Sequence, residues 1–261
     1  MIDSMSVYLS VVIPSYNEQA NIDKGALDQV FEYLSKQDYS WEVIFSDDGS
    51  TDTTVERLIV YTAKYPNVRV LKNEHAGKAP TVKAGMLAAT GQWRLFTDFD
   101  QSTPLAEVEK LLDKTKQGYQ VVIGSREIAG AKRGKEPLYR HLMGKGFNLF
   151  VQLFAISGIH DTQCGFKLFS DLATRLFEQL VVYGSEGRRK DAYTGAFDVE
   201  LLFLAKKNGF KISEVPIHWR HRETNRVSPL KDSLRMFRDI IKIRLAALTG
   251  KYSEMMSITH V

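Results

Sequence analysis

The chain has one cysteine, Cys164, so no intrachain disulfide can form, which fits a reducing compartment. No Cys/His cluster has the spacing of a zinc site, and the six histidines are scattered. Long apolar runs are missing as well. The longest, Phe147 to Ile159, is interrupted by Asn148, Gln152, Ser157 and Gly158. It falls short of the roughly 20 residues that a bilayer-spanning helix needs, so no transmembrane helix is expected. The first ten residues lack the charged-then-apolar layout of a secretory signal. Two phosphate-binding signatures are absent. Where a nicotinamide dehydrogenase would carry G-x-G-x-x-G, this chain has Pro14-Ser-Tyr-Asn-Glu18, and no G-x-x-x-x-G-K-[ST] loop occurs. A net charge of +4 gives no argument for a nucleic-acid partner. No internal repeat or low-complexity segment is present.

What remains is an ordinary globular composition, 44% apolar and 25% charged over 261 residues, enough for one α/β domain with a sizeable core or at most two small ones. Two β-rich runs, Leu9–Ile13 and Trp41–Phe45, each end in a polar, turn-forming cluster. The pattern continues with helices over 22–34, 51–64, 81–89 and 104–117, and strands at Val68–Leu71, Arg94–Thr97 and Gln120–Ile123. Strands alternating with helices of this length predict a mostly parallel sheet with helices on both faces. In such sheets ligands bind beyond the carboxyl ends of the strands. Asp47, Asp48, Asp98 and Asp100 all fall at such ends.

Asp98 and Asp100 follow directly on a strand. Residues two apart in extended chain point the same way, about 6.5–7 Å apart, too far to clamp one cation unless the chain bends. One direct ligand and one partner for a ribose hydroxyl or a metal-bound water is the favoured division. Carboxylate oxygens and a diphosphate together suit Mg²⁺ or Mn²⁺.

The ordered set of motifs extends beyond this pair: Val11-Val-Ile-Pro-Ser-Tyr-Asn-Glu18, Ser46-Asp-Asp-Gly-Ser-Thr-Asp52, Gly77-Lys78, Thr97-Asp-Phe-Asp100, Gly124-Ser-Arg126, Asp161-Thr-Gln-Cys-Gly-Phe-Lys167, Phe197-Asp-Val-Glu-Leu201 and Glu214-Val-Pro-Ile217. In this order the motifs resemble the inverting family-two glycosyltransferases of GT-A, Rossmann-like fold. Within them the chain is similar to the polyprenyl-phosphate sugar synthases, the dolichyl-phosphate glucose and mannose synthases. The resemblance implies that Pro14, Tyr16 and Glu18 cradle the base and ribose of a nucleotide sugar. It implies that Asp47 or Asp48 reads the base edge, and that Gly77 and Lys78 lie beside the diphosphate. Asp98 and Asp100 match the metal and nucleotide motif. Relatives often place a glutamine contact two positions after the second aspartate, whereas here Gln101 follows it directly.

A lipid-phosphate acceptor is already ionised at neutral pH, so positioning and charge stabilisation matter more than a strong base. Arginine suits such a phosphate. By resemblance, Arg126, Arg140, Arg222 and Arg226 hold the acceptor phosphate, and Asp161 acts near the reacting centre as base or orienting group. Asp198 and Glu200 match a family motif that also fits a plain helix N-terminus. Cys164 lacks an evident base partner and is assigned to packing.

Residues 1–228 are expected to form the catalytic domain, 229–250 a basic amphipathic helix and 251–261 a tail. In the helix Leu234, Phe237, Ile241, Leu245 and Leu248 form one stripe, and Lys231, Arg235, Arg238 and Lys242 another. Such a helix either packs on the core with a solvated basic face or lies on an anionic membrane surface. Phe147–Ile159 is a second candidate membrane-facing element. The resulting expectation is one hexose, glucose from UDP-glucose first, moved with inversion to a polyprenyl or dolichyl phosphate on the cytoplasmic face of a membrane, by a peripheral enzyme. Mannose or another sugar from a GDP- or UDP-donor, a glycan hydroxyl acceptor, and a non-catalytic nucleotide-sugar binding module are the alternatives.

Overall fold

The computed structural model describes residues 6–134, 138–184, 195–221 and 229–252. Its first half repeats the strand–helix unit. β1 (Leu9–Ser15) leads to α1 (Gln19–Asp23), α2 (Ala26–Leu34), β2 (Trp41–Asp47), α3 (Thr54–Lys64) and β3 (Val68–Lys72). There follow α4 (Lys78–Ala88), β4 (Trp93–Thr97), α5 (Val108–Thr115) and β5 (Val121–Ser125). The second half adds β6 (Lys132–Arg133), α6 (Leu138–Phe154), β7 (Phe166–Ser170), α7 (Asp171–Thr174), α8 (Phe197–Lys207), β8 (Ile212–Pro216), β9 (His218–Trp219) and α9 (Pro229–Leu248).

Seven strands make one sheet in the order β3-β2-β1-β4-β7-β5-β8, and β6 pairs with β9 beside it. All pairings in the large sheet are parallel except those of β7, which runs antiparallel to both β4 and β5. The strands are buried on both faces, and alternation along them divides the core in two. Val12, Ile44 and Phe96 join α4, α6, α8 and α9 on one face. Val11, Ile13, Val43, Phe45 and Leu95 join α2, α3 and α5 on the other. Helix α4 presses so closely on β1 that a Cβ at Gly85 would lie 2.4 Å from Val12 Cγ1.

The sequence-based helices differ in detail. The expected helix over 22–34 is two, parted at Gly25, whose φ of +74° no helical residue adopts. The helix expected over 81–89 begins earlier, which puts Lys78 in its first turn. The stretch expected as a helix over 104–117 opens with a 3₁₀ turn at Leu105–Glu107.

Helix α9 spans Pro229–Leu248, and its core-facing side is not the stripe seen in sequence. Ile240, Ile243 and Ala246 enter the core beside α8. Leu234, Ile241, Leu245 and Leu248 are exposed, and Phe237 alone of that stripe packs inward, against Phe147 and Phe150 of α6. Among the described residues no helix is long and apolar enough to cross a membrane.

Candidate active site

The strand order creates the site. The chain winds outward from β1 through β2 to β3, then returns to β4 on the other side of β1, so the carboxyl ends of β1 and β4 flank a crevice. The loops beyond these strands are tied together by motif residues. Asn17 (φ +52°) donates its backbone N–H to Ser50 Oγ and accepts at Oδ1 from the N–H of Thr51. Asp47 and Asp48, expected at the base edge, are buried and bonded within the protein. Asp47 accepts from the Ser50 N–H and hydroxyl and from the Ser15 hydroxyl. Asp48 accepts from the backbone N–H groups of Ala76 and Gly77 and lies 2.9 Å from His75 Nδ1. It therefore anchors the loop that leads into α4. His75 in turn stacks on Tyr16, ring centroids 4.5 Å apart and planes within 16°, which makes a flat aromatic wall beside the end of β1. Pro14 lies within β1, in register with Ser46, and the backbone N–H of Glu18 donates to Thr54 Oγ1.

Across the crevice, Lys78 Nζ donates to Asp98 Oδ1 at 2.5 Å. Burial would lower the Lys78 pKa, but Asp98 and its acidic neighbours raise it above the usual lysine value. Asp98 is held from beneath by strand β7. Its backbone N–H donates to the Gly165 carbonyl at 3.2 Å, and a Cβ at residue 165 would lie 2.1 Å from Asp98 Oδ2, so any side chain there would displace the Asp98 carboxylate. A second pair lies directly behind. Lys167 is fully buried, lies over the Phe96 ring and donates to Asp198 Oδ1 at 2.6 Å. Burial raises the Asp198 carboxyl above its ordinary range, although Lys167 and Lys78 oppose this. The crevice floor is thus two carboxylates interleaved with two ammonium groups.

Asp100 accepts at Oδ1 from the Ser102 N–H, in the bend that breaks the extended chain after β4. Gln101, at φ +52°, is buried; its amide donates to the Asp98 carbonyl and its Oε1 has no hydrogen-bond partner among the described residues. No group of three or more His, Cys, Asp or Glu residues forms a metal site among the described residues. Asp98 and Asp100 nevertheless offer hard carboxylate oxygens, and Asp98 already holds a cationic group. A Mg²⁺ or Mn²⁺ ion fits there if a bound diphosphate supplies the remaining ligands.

The other half of the site is built on Arg126, one residue beyond β5. Its Nε and Nη2 reach both oxygens of Asp161 at 2.7 and 2.8 Å, and its backbone N–H binds the same carboxylate. Burial alone would raise the Asp161 carboxyl, but Arg126 holds it below the usual aspartate range. Such a carboxylate is a poor proton acceptor, so of its two expected roles the geometry favours orienting. Glu214 on β8 accepts from the backbone N–H groups of His160 and Asp161, fixing that loop. The guanidinium groups of Arg126 and Arg133 both lie over Trp219, 5.4 and 5.7 Å from its ring centre. The Arg220 N–H donates to the Ser102 carbonyl at 2.8 Å, which ties the segment after β9 to the Asp100 bend. Arg140 lies in the first turn of α6, its side chain outside the described residues; Arg222 and Arg226 also lie outside them. Cys164 is buried, its thiol pushed up to about 12 by burial, in keeping with a packing role.

Residues 10–175 match the family described as Glycosyl transferase family 2. The chain belongs to this family, and it is a glycosyltransferase. It is 36% identical to a dolichyl-phosphate beta-glucosyltransferase of Dictyostelium discoideum, over 94% of this chain and 76% of the relative. Proteins of the same description from Saccharomyces cerevisiae and Homo sapiens are 33% and 34% identical, covering 97% and 96% of this chain and 78% and 79% of the relatives. Among solved structures, glucosyl-3-phosphoglycerate synthase from Mycobacterium tuberculosis, in complex with Mn²⁺, UDP and glucosyl-3-phosphoglycerate, superposes with a TM-score of 0.63 at 20% identity. It covers 96% of this chain and 82% of that one. This confirms the GT-A fold. Sequence reasoning left Gly165, Lys167, Arg133 and Trp219 without individual roles. The one visible signal was a lysine inside the apolar run Phe166–Phe169.

Proposed function

We propose that this glycosyltransferase moves glucose from UDP-glucose to a polyprenyl or dolichyl phosphate, with inversion at the anomeric carbon. The observation that carries this reading is the adjacency of two charged half-sites. The Lys78–Asp98 pair and Asp100 stand at the end of β4, and the Arg126–Asp161 pair stands at the end of β5, linked through Ser102 and Arg220. The named relatives, similar over nearly the whole chain, give the sugar and the lipid.

In the reaction an acceptor phosphate oxygen forms the bond to the anomeric carbon while the bond to the diphosphate breaks. The acceptor oxygen is anionic at neutral pH, so no residue has to remove a proton. Tyr16, with Pro14 and Glu18, would hold the nucleoside, and Asp47 or Asp48 the base edge. Lys78 would leave Asp98 for the diphosphate as the donor binds. Mg²⁺ or Mn²⁺ held by Asp98, Asp100 and Gln101 would supply Lewis-acid stabilisation of the departing diphosphate. Arg126, oriented by Asp161, would receive the acceptor phosphate together with Arg140, Arg222 and Arg226. The enzyme would work as a peripheral protein on the cytoplasmic face of a membrane. A donor screen tests the reading. UDP-glucose, GDP-glucose, UDP-mannose and GDP-mannose are each offered with a short polyprenyl phosphate and Mn²⁺, and product is followed by mass. Preference for UDP-glucose is expected; preference for GDP-mannose would replace the sugar assignment.

A further inference from the structure

The stretch that leads into β7 joins the two charged half-sites. Because β7 runs antiparallel between β4 and β5, its first residues lie at the carboxyl ends of both. Asp161 begins the stretch on the Arg126 side, and Gly165 ends it against the backbone of Asp98. Between them a turn carries Thr162, 1% exposed, and Gln163, half-buried. The turn is held from both sides, since the Asp161 N–H donates to Glu214 and Lys167 donates to the Cys164 carbonyl. Yet Thr162 Oγ1 and Gln163 Nε2, both closed to solvent, have no hydrogen-bond partner among the described residues. Gln101 Oε1, beside Asp98, is a third such atom, and the reading above gives it to the metal. Buried polar atoms without partners cost stability, so two on one well-anchored turn call for a reason.

The chemistry of these two groups selects their partner. A hydroxyl donates and accepts, an amide NH₂ donates, and neither carries charge. Lys78, Arg126 and the carboxylates on either side serve phosphates and a metal, whereas a neutral pair between them suits an uncharged polyol. With the donor diphosphate at Lys78 and Asp98 and the acceptor phosphate at Arg126, the hexose has to lie between, at this turn. A site built to hydrogen-bond a substrate hydroxyl rejects the analogue that lacks it, because its own polar groups are then left unpaired.

We propose that Thr162 and Gln163 hydrogen-bond hydroxyls of the donor hexose and so set the choice of sugar. This deepens the reading above and rests on its placement of the donor. As the sugar enters, Gln163 swings its amide outward and the Thr162 hydroxyl turns to meet it. The test measures kcat/KM for UDP-glucose and for each of its monodeoxy forms with the parent, Thr162→Val, Thr162→Ser and Gln163→Met. The inhibition constant of UDP and the melting temperature are followed alongside. The parent should lose roughly tenfold or more on at least one deoxy donor. Thr162→Val and Gln163→Met should each use UDP-glucose roughly tenfold less well, with little further loss on the deoxy donor whose hydroxyl they meet. Thr162→Ser should recover most of the activity. UDP carries no sugar, so its inhibition constant should stay within about twofold throughout. Thr162→Val should not melt lower than the parent, because the hydroxyl it removes has no partner to lose. A parent indifferent to every deoxy donor, deoxy penalties unchanged in both variants, or a parallel rise in the UDP inhibition constant would overturn the assignment. An unchanged penalty in one variant alone removes that residue. A parent that uses GDP-mannose in place of UDP-glucose would sink only the sugar named above; the same cycle on the deoxy forms of that donor then decides the turn.

Discussion

Lys78 and Asp98 are joined by a 2.5 Å hydrogen bond across the crevice between α4 and β4. A cationic group therefore already rests on the carboxylate expected to face the metal, and the donor diphosphate offers Lys78 an alternative anion. On the proposed reading, binding of donor and metal would exchange one ion pair for others, and Asp98 would keep a counter-charge throughout.

Lys78→Met is expected to weaken donor use, because the diphosphate loses a cation while Asp98 loses its partner. A charge-assisted contact of this kind is worth about 1.5–3 kcal/mol, so kcat/KM for the nucleotide sugar should fall roughly 10- to 100-fold. Steady-state kinetics at saturating acceptor measures this. An unchanged kcat/KM would remove Lys78 from the donor site.

Asp100→Ala should abolish transfer while leaving the fold intact. The side chain is part-exposed and its one bond shown here, from the Ser102 N–H, is worth about 1 kcal/mol. Activity should fall at least about 100-fold, equivalent to roughly 2.7 kcal/mol of barrier, with a shift in melting temperature of only a few degrees. Product assays and calorimetry on the same preparation separate the two effects.

The pair behind the site behaves differently. Lys167→Met leaves Asp198 buried without its counter-charge and should cost about 3–5 kcal/mol in urea unfolding. The double change Lys167→Met with Asp198→Leu removes both charges and should recover much of that loss. If the double variant is less stable than the sum of the singles, the pair has a structural role beyond mutual neutralisation.

Arg126 and Asp161 carry a pH signature. The folded-state pKa of Asp161 lies below its unfolded value. Its stabilisation is therefore present above the ordinary aspartate pKa of about 3.9 and is lost as pH falls through the lower folded value. Arg126→Ala would leave a buried carboxylate unpaired, so that variant confuses acceptor binding with folding. Arg126→Lys keeps the charge and removes the two-pronged contact. It should raise KM for the lipid phosphate several-fold, with donor KM unchanged, and move the acid-unfolding midpoint upward. A rise in donor KM instead would place Arg126 on the other side of the reaction.

Much of this was legible in the sequence because the α/β rhythm is strict as far as β5 and the polar clusters sit at strand ends. Asp98, Asp100 and Lys78 came from that logic and from the family resemblance, and the structure brings Asp98 and Lys78 into contact. What could not be read was long-range pairing. Strand β7 breaks the parallel pattern by entering between β4 and β5, and only this places Gly165 under Asp98 and buries Lys167. The motif residues Asp47 and Asp48 looked like ligand contacts, whereas their hydrogen bonds run to other groups of the protein. Helical spacing alone likewise gave no way to tell which apolar side of α9 meets the core, since both are apolar.

The most direct measurement incubates the purified chain with UDP-glucose, a short polyprenyl phosphate and Mn²⁺, and follows lipid product and UDP together. One polyprenyl-phosphate glucose per UDP released is expected, with both lost in Asp98→Ala and Asp100→Ala and on chelation of the metal. Undiminished product from Asp100→Ala, or UDP released with no glycolipid formed, would contradict it.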